Sequence, residues 1–216
     1  MNTCLYDIVR ILLQLFFRMA TNWQVAGRKY VPSYGKFVLV ANHLSVADPP
    51  LIGASFNRRM AFLAKQELFT GRFTGWFLRK LGAIPVTRGR MSREILRSTE
   101  RLLEKGEVLA VFPEGARSSD GQLGPAFAGA ALIALRNQAP VLPVAISGTR
   151  DIHGFGWIRH RPKLKVNIGP SFMLYEGRPK TIDSQLLKQS TVLIMERIAA
   201  LMEEKSFTEE QRYISY

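Results

Sequence analysis

Two residues five positions apart, His43 and Asp48, are of the types that move a proton. An imidazole titrates near neutral pH, about 6.5 when unperturbed, so a histidine can take a proton from a hydroxyl once a partner fixes its tautomer and orientation. Asp48 can be that partner. It also precedes Pro49-Pro50, and an acidic residue ahead of proline is a common way to begin a helix, so an N-cap role stands beside the orienting one. Ser45 lies between the two in the same short stretch. There its hydroxyl is expected to hydrogen-bond the loop rather than to act as a nucleophile.

The pair needs a scaffold, and the chain supplies one. The apolar run Phe37 to Ala41 reads as a buried strand that delivers His43 to a strand end, where α/β proteins commonly build their sites. Gly82 to Arg88 reads as a short strand ending in an arginine. Val108 to Phe112 reads as another, running into Pro113-Glu114-Gly115-Ala116-Arg117-Ser118. Val141 to Ile146 is a further buried strand. Arg88 and Arg117 suit a phosphate, because a guanidinium offers a planar fork of donors that never deprotonates at working pH. The arginines at 90, 93, 97 and 101 read instead as solvated helix residues, and Glu114 either contacts substrate or bonds the neighbouring loop.

Helices separate these strands: Pro49 to about Phe56, Leu68 to Phe77, Ser92 to Lys105 stopped by Gly106, Phe127 to Gln138, and about Asp183 to Glu203. Strands are also expected at Trp23 to Gly27, at Met60 to Ala64, and at Leu164 to Gly169, the last as a half-buried or edge strand. The alternation predicts an α/β fold with a mixed, largely parallel central sheet flanked by helices. The expected organisation is an N-terminal helix over residues 1–22, one α/β domain over 23–205 and a polar tail over 206–216.

At 216 residues and 47% apolar, the chain has material for one well-buried domain. A formal charge of +13 points to anionic partners, whether nucleic acid, an acidic membrane surface or phosphorylated substrates. One cysteine, Cys4, excludes an internal disulfide. No metal-ligand spacing occurs, so no metal is expected.

From Thr3 to Ala20 the polar residues Thr3, Asp7, Arg10, Gln14 and Arg18 recur at steps of three and four, and the rest of the circumference is apolar. An amphipathic helix lying in the headgroup region fits this better than a span, which would need a longer run free of charge. Docking on the chain's own domain or a dimer mate is the other reading. Leu12, Phe16 and Phe17 are the expected lipid contacts here. Phe73, Trp76 and Phe77, interleaved with Arg72, Arg79 and Lys80, either join them or belong to the core.

Four blocks in order, Asn42 to Asp48, Gly82 to Arg88, Phe112 to Ser118 and the segment around Pro143, resemble the glycerolipid acyltransferase family, specifically its bacterial 1-acyl-glycerol-3-phosphate acyltransferases. Ala116 stands where that third block often has Thr. The resemblance implies a catalytic pair of His43 as base and Asp48 as its partner, with Arg88, Glu114, Gly115 and Arg117 binding the acceptor. It implies transfer of a fatty acyl group from acyl-CoA or acyl carrier protein to the free hydroxyl of lysophosphatidic acid, giving phosphatidic acid, with no bound cofactor. The expected setting is peripheral or monotopic, on the cytoplasmic face of the cell membrane. The alternatives are the same chemistry on glycerol 3-phosphate or a lyso-aminolipid, or a basic module that binds membrane or nucleic acid without catalysis. The basic residues are spread over amphipathic helices and form no known nucleic-acid motif, so no nucleic acid is expected as a partner.

Overall fold

The computed structural model describes residues 2–87, 89–152 and 156–203. In chain order these form α1 (Thr3–Ala20), β1 (Asn22–Ala26), β2 (Phe37–Ala41), α2 (Asp48–Ser55), β3 (Met60–Lys65), α3 (Arg72–Lys80), β4 (Ile84–Val86), α4 (Arg93–Glu104), β5 (Val108–Val111), α5 (Gly129–Asn137), β6 (Val141–Ser147), β7 (Lys163–Ile168) and α6 (Ser184–Glu203). Short 3₁₀ turns connect several of them. The expected tail over 206–216 lies outside the described residues.

The seven strands form one sheet in the order β1-β7-β6-β2-β5-β3-β4. The five strands from β6 to β4 run parallel, and β7 is antiparallel to β6. The fold is therefore α/β with a largely parallel sheet. Parallel strands covered on both faces need continuous apolar sequence, and β2, at the centre, is buried at all five positions. Phe37, Leu39 and Ala41 face one layer with Leu51, Ile52 and Phe56, while Val38 and Val40 face the other with Leu103, Ile133, Ile194 and Ile198. Each of these side chains larger than Ala41 contributes about 1.5–3 kcal/mol relative to exposure.

Three expectations change. The segment from Leu68 to Phe77 is broken, with a 3₁₀ turn at Gln66–Phe69 and α3 beginning only after the extended backbone of Gly71. β7 is half-buried as expected, with Leu164, Val166 and Ile168 buried on one face, but it is not an edge strand: it pairs with both β1 and β6, and β1 takes the edge. Asp48 does not cap α2. Ala47 holds the cap position without a side-chain bond and Asp48 is the first helical residue, its carboxylate drawn away to other partners.

α1 is docked on the sheet's α2 side by its polar stripe. Gln14 Nε2 donates to Ala54 O at 2.9 Å, Arg10 reaches Asn57 Oδ1, Arg59 holds Asp7, and the Tyr6 hydroxyl accepts the Met60 N–H. Phe17 is only 3% exposed and packs against Trp23 and the core. That corrects its expected lipid contact, because positions 6, 13, 17 and 20 share the inward face. The outward face is Ile8, Ile11, Leu12, Leu15, Phe16 and Met19, all exposed. No helix among the described residues is long and apolar enough to cross a membrane.

Candidate active site

The C-terminal ends of β6, β2 and β5 lie side by side at one sheet edge. As the chain leaves β2, the buried side chain of Asn42 continues the pairing that the backbone gives up. Its Nδ2 donates to Ile146 O at 2.9 Å and its Oδ1 accepts the Ile146 N–H at 2.7 Å. This pins β2 to β6 and sets the direction in which His43 emerges.

His43 is then held from the β5 side. Its N–H donates to Glu114 Oε1 at 3.0 Å, and its carbonyl accepts the Ser118 N–H at 2.8 Å. Its ring stacks on Phe112 with centroids 4.2 Å apart and planes 22° apart. Backbone and ring are both fixed, leaving the side chain 18% exposed at the surface of the edge.

His43 Nδ1 lies 2.8 Å from Asp48 Oδ2. Asp48 is wholly buried, and the same oxygen accepts the N–H groups of Leu44 at 2.6 Å and Ser45 at 2.7 Å. Its Oδ1 accepts the Thr149 hydroxyl at 2.6 Å. Four donors around one buried carboxyl are the complement an anion requires away from water. A carboxylate acceptor at Nδ1 assigns the proton to that nitrogen, so Nε2 carries the lone pair and can accept a proton. Ser45 Oγ accepts the Ala47 N–H at 3.3 Å within the buried loop.

The loop after β5 is built around Glu114. Its second oxygen accepts the Gly124 N–H at 2.9 Å, so both oxygens are bonded to backbone and the side chain is buried. These bonds are the loop-bonding role, one of the two open for it. Gly115 closes the turn with φ 63° and an N–H bond to Phe112 O at 3.0 Å, a conformation that favours glycine. Further along, Asp120 accepts from the Gln122 N–H and the Ser118 hydroxyl, which hold its carboxyl below the usual range. Arg150 donates to the carbonyls of Asp120 and Ser119. Arg117 is exposed, with no hydrogen bond or ion pair to any described residue. Arg88 lies outside the described residues.

The structure thus brings His43, Asp48, Glu114 and the Arg117 loop together. Sequence reasoning missed Thr149 and Arg150, which follow β6 in a 3₁₀ turn; a threonine after a strand carries no local signal. It also missed Phe112 as the plate under the imidazole.

A family model for acyltransferases matches residues 22–147, running from β1 to the end of β6 and including His43, Asp48 and the loop after β5. The chain belongs to the acyltransferase family. Among its relatives, the 1-acyl-sn-glycerol-3-phosphate acyltransferase of Streptococcus pneumoniae is 31% identical over 156 residues, covering 68% of this chain and 56% of that protein. The lyso-ornithine lipid O-acyltransferase of Pseudomonas aeruginosa is 36% identical over 113 residues, 52% of this chain and 43% of that one. The chain therefore matches about half the length of these relatives. The crystal structure of the 1-acyl-sn-glycerophosphate (LPA) acyltransferase PlsC from Thermotoga maritima superposes with a TM-score of 0.70 at 28% identity, covering 93% of this acyltransferase and 81% of that chain.

Proposed function

We propose that this acyltransferase moves a fatty acyl group from a thioester, acyl-CoA or acyl carrier protein, to the free sn-2 hydroxyl of lysophosphatidic acid, giving phosphatidic acid. The observation that carries the reading is the His43 Nδ1 to Asp48 Oδ2 bond of 2.8 Å, which leaves Nε2 as a base at an open strand edge. His43 Nε2 takes the hydroxyl proton as the alkoxide oxygen attacks the thioester carbonyl. The tetrahedral intermediate collapses by breaking the C–S bond, and the imidazolium returns its proton to the departing thiolate sulfur. Asp48 holds the tautomer and stabilises the imidazolium, as the acid does in a hydrolase triad. The acyl group never resides on the protein, since the hydroxyls of Ser45 and Thr149 beside the pair are both buried and already bonded, the first to its own loop and the second to Asp48.

Arg117 and Arg88 bind the acceptor's phosphate. Arg117 is exposed and free of partners among the described residues, as a ligand-binding guanidinium needs to be. Glu114 and Gly115 hold the loop that presents it. Assaying the purified protein with lysophosphatidic acid and each thioester in turn, and following phosphatidic acid and free thiol together, tests the reading.

The acceptor and product are lipids, and we place the protein on the cytoplasmic face of the cell membrane, held peripherally by its anionic surface. The outward apolar face of α1 exposes Leu12 at 60% and Met19 at 75%, more than a water-facing helix ordinarily tolerates in one strip. Asn2 N–H donates to Lys80 O at 2.8 Å, which ties the C-terminal end of α3 to the start of α1; α3 itself exposes Phe73 at 74% and Trp76, with Phe77 stacked against Phe73. At the other end of α1, Phe16 meets Trp157 edge-on at 6.0 Å. Arg18, Arg72 and Arg79 flank this strip, where cationic side chains meet anionic headgroups.

The lyso-ornithine lipid relative supports a second acceptor class, a lyso-aminolipid. Acceptor profiling separates the two: a phosphate-binding site discriminates against lipids that lack the phosphate.

A further inference from the structure

The two oxygens of Asp48 have unequal surroundings. Among the described residues, Oδ2 accepts three donors, all from residues 43–45, while Oδ1 accepts one, the Thr149 hydroxyl at 2.6 Å from a residue 101 positions away. Torsion about the last bond of an aspartate is broad and roughly two-fold, so a carboxylate held through one oxygen can still swing. Thr149 removes that freedom. It is fully buried, and its hydroxyl donates to no other described group.

The chain is shaped to place it there. β6 turns at Gly148, whose φ of 85° is left-handed and where a Cβ would stand 1.9 Å from Lys163 O. Only glycine fits, and the turn brings Thr149 under the β2 edge. Arg150, the next residue, grips the carbonyls of Ser119 and Asp120. That loop begins with Ser118, whose N–H donates to His43 O. The pair Thr149-Arg150 therefore touches both the carboxylate that orients the imidazole and the loop that holds its backbone.

We infer that Thr149 is a positioning residue for acyl transfer: its hydroxyl locks the Asp48 carboxylate in the rotation that points Oδ2 at His43 Nδ1. The inference rests on the reading of His43 as the general base. Its effect falls on proton transfer in the transition state and not on substrate binding, so it belongs in kcat.

The test compares Thr149→Val, which keeps the shape and removes the hydroxyl, with Thr149→Ser, which keeps the hydroxyl, in the intact 216-residue chain. Thr149→Val is expected to lower kcat roughly tenfold or more, part of the 10²–10⁴-fold a general base supplies, with both KM values unchanged. Thr149→Ser is expected to stay within about twofold of the parent kcat on the same scale. The proton NMR resonance of the His43 Nδ1–H, assigned by its absence in His43→Ala, is expected at low field in the parent and in Thr149→Ser, and shifted or lost in Thr149→Val. Should Thr149→Val fail to fold, Thr149→Ala, which also removes the hydroxyl, is read by the same kcat and NMR criteria. A folded Val or Ala variant with parent kcat and an unmoved resonance overturns the inference, as does a Ser variant that loses as much kcat as Val. If His43→Ala is inactive while Thr149→Val is fully active, this inference alone fails; if His43→Ala is fully active, the reading of the base fails first.

Discussion

His43 and Glu114 are joined backbone to side chain: the imidazole-bearing residue gives its N–H to Glu114 Oε1 at 3.0 Å, across 71 positions of sequence. The other Glu114 oxygen takes the Gly124 N–H at 2.9 Å. One buried carboxylate thereby sets where the base stands and anchors the loop that carries Arg117.

Replacing Glu114 tests that bond. Glu114→Ala leaves two amide donors without their acceptor in a part-buried setting, and about 1–3 kcal/mol of stability should be lost for each that stays dry. Urea melts should show a lower midpoint, and kcat should fall with it. Glu114→Gln presents a donor where an acceptor is needed at one of the two amides, so it should recover only part of the loss. Parent stability in Glu114→Ala would contradict the bonding described.

Arg117 predicts the opposite pattern. With no partner among the described residues, its removal should leave folding intact. Arg117→Ala should raise KM for lysophosphatidic acid by roughly tenfold or more, the scale of losing a charge-assisted contact of about 1.5–3 kcal/mol. Arg117→Lys should recover only part of that, since an ammonium lacks the planar fork. An unchanged KM in the presence of a normal melt would remove Arg117 from the phosphate site.

α1 separates lipid contact from core. Leu12→Asp and Phe16→Asp lie on the outward face and should release the folded protein from vesicles containing anionic lipid, measured by flotation. Phe17→Ala, one position on, should instead destabilise the fold by about 3–5 kcal/mol, as for other buried Phe truncations. If the Phe17 change alone abolished flotation without unfolding, the orientation of α1 given above would be wrong.

The docking of α1 is also pH dependent. The hydrogen bond from Arg59 holds the Asp7 carboxyl below its ordinary value. A carboxyl depressed in the fold contributes stability above its unfolded pKa of about 3.9, and that contribution is lost as pH falls through the lower folded value. Burial raises the Tyr6 hydroxyl, whose contribution is full below about 10 and disappears as pH rises through the folded value. Protease cleavage within α1 should therefore accelerate at both extremes and stay flat between. Asp7→Asn should remove the acid limb only.

The parts of the site that sequence revealed are those made by neighbours in the chain. His43 and Asp48 lie in one loop after a β-branched strand, and a spacing of five is enough to suggest their bond. The bounds of α1 were equally plain, because its polar residues recur at helical steps. Which way that helix faces was not, since a stripe of Asp7, Arg10 and Gln14 reads as the wet side until Ala54, Asn57 and Arg59 are brought opposite it. Asp48 was given a capping role by the prolines after it, but donors from the preceding loop and from distant Thr149 outweighed that rule. The Thr149 bond to Asp48 and the Glu114 bond to His43 are contacts across 101 and 71 positions, which no periodicity encodes.

The most direct test of the central claim is the rate of phosphatidic acid formation by His43→Ala against the parent protein, with lysophosphatidic acid and a long-chain acyl thioester at saturation. The parent should form one phosphatidic acid for each thiol released. The variant, still folded, should be slower by about 10²–10⁴-fold, the contribution of a positioned general base. A variant that keeps the parent's rate would contradict the account.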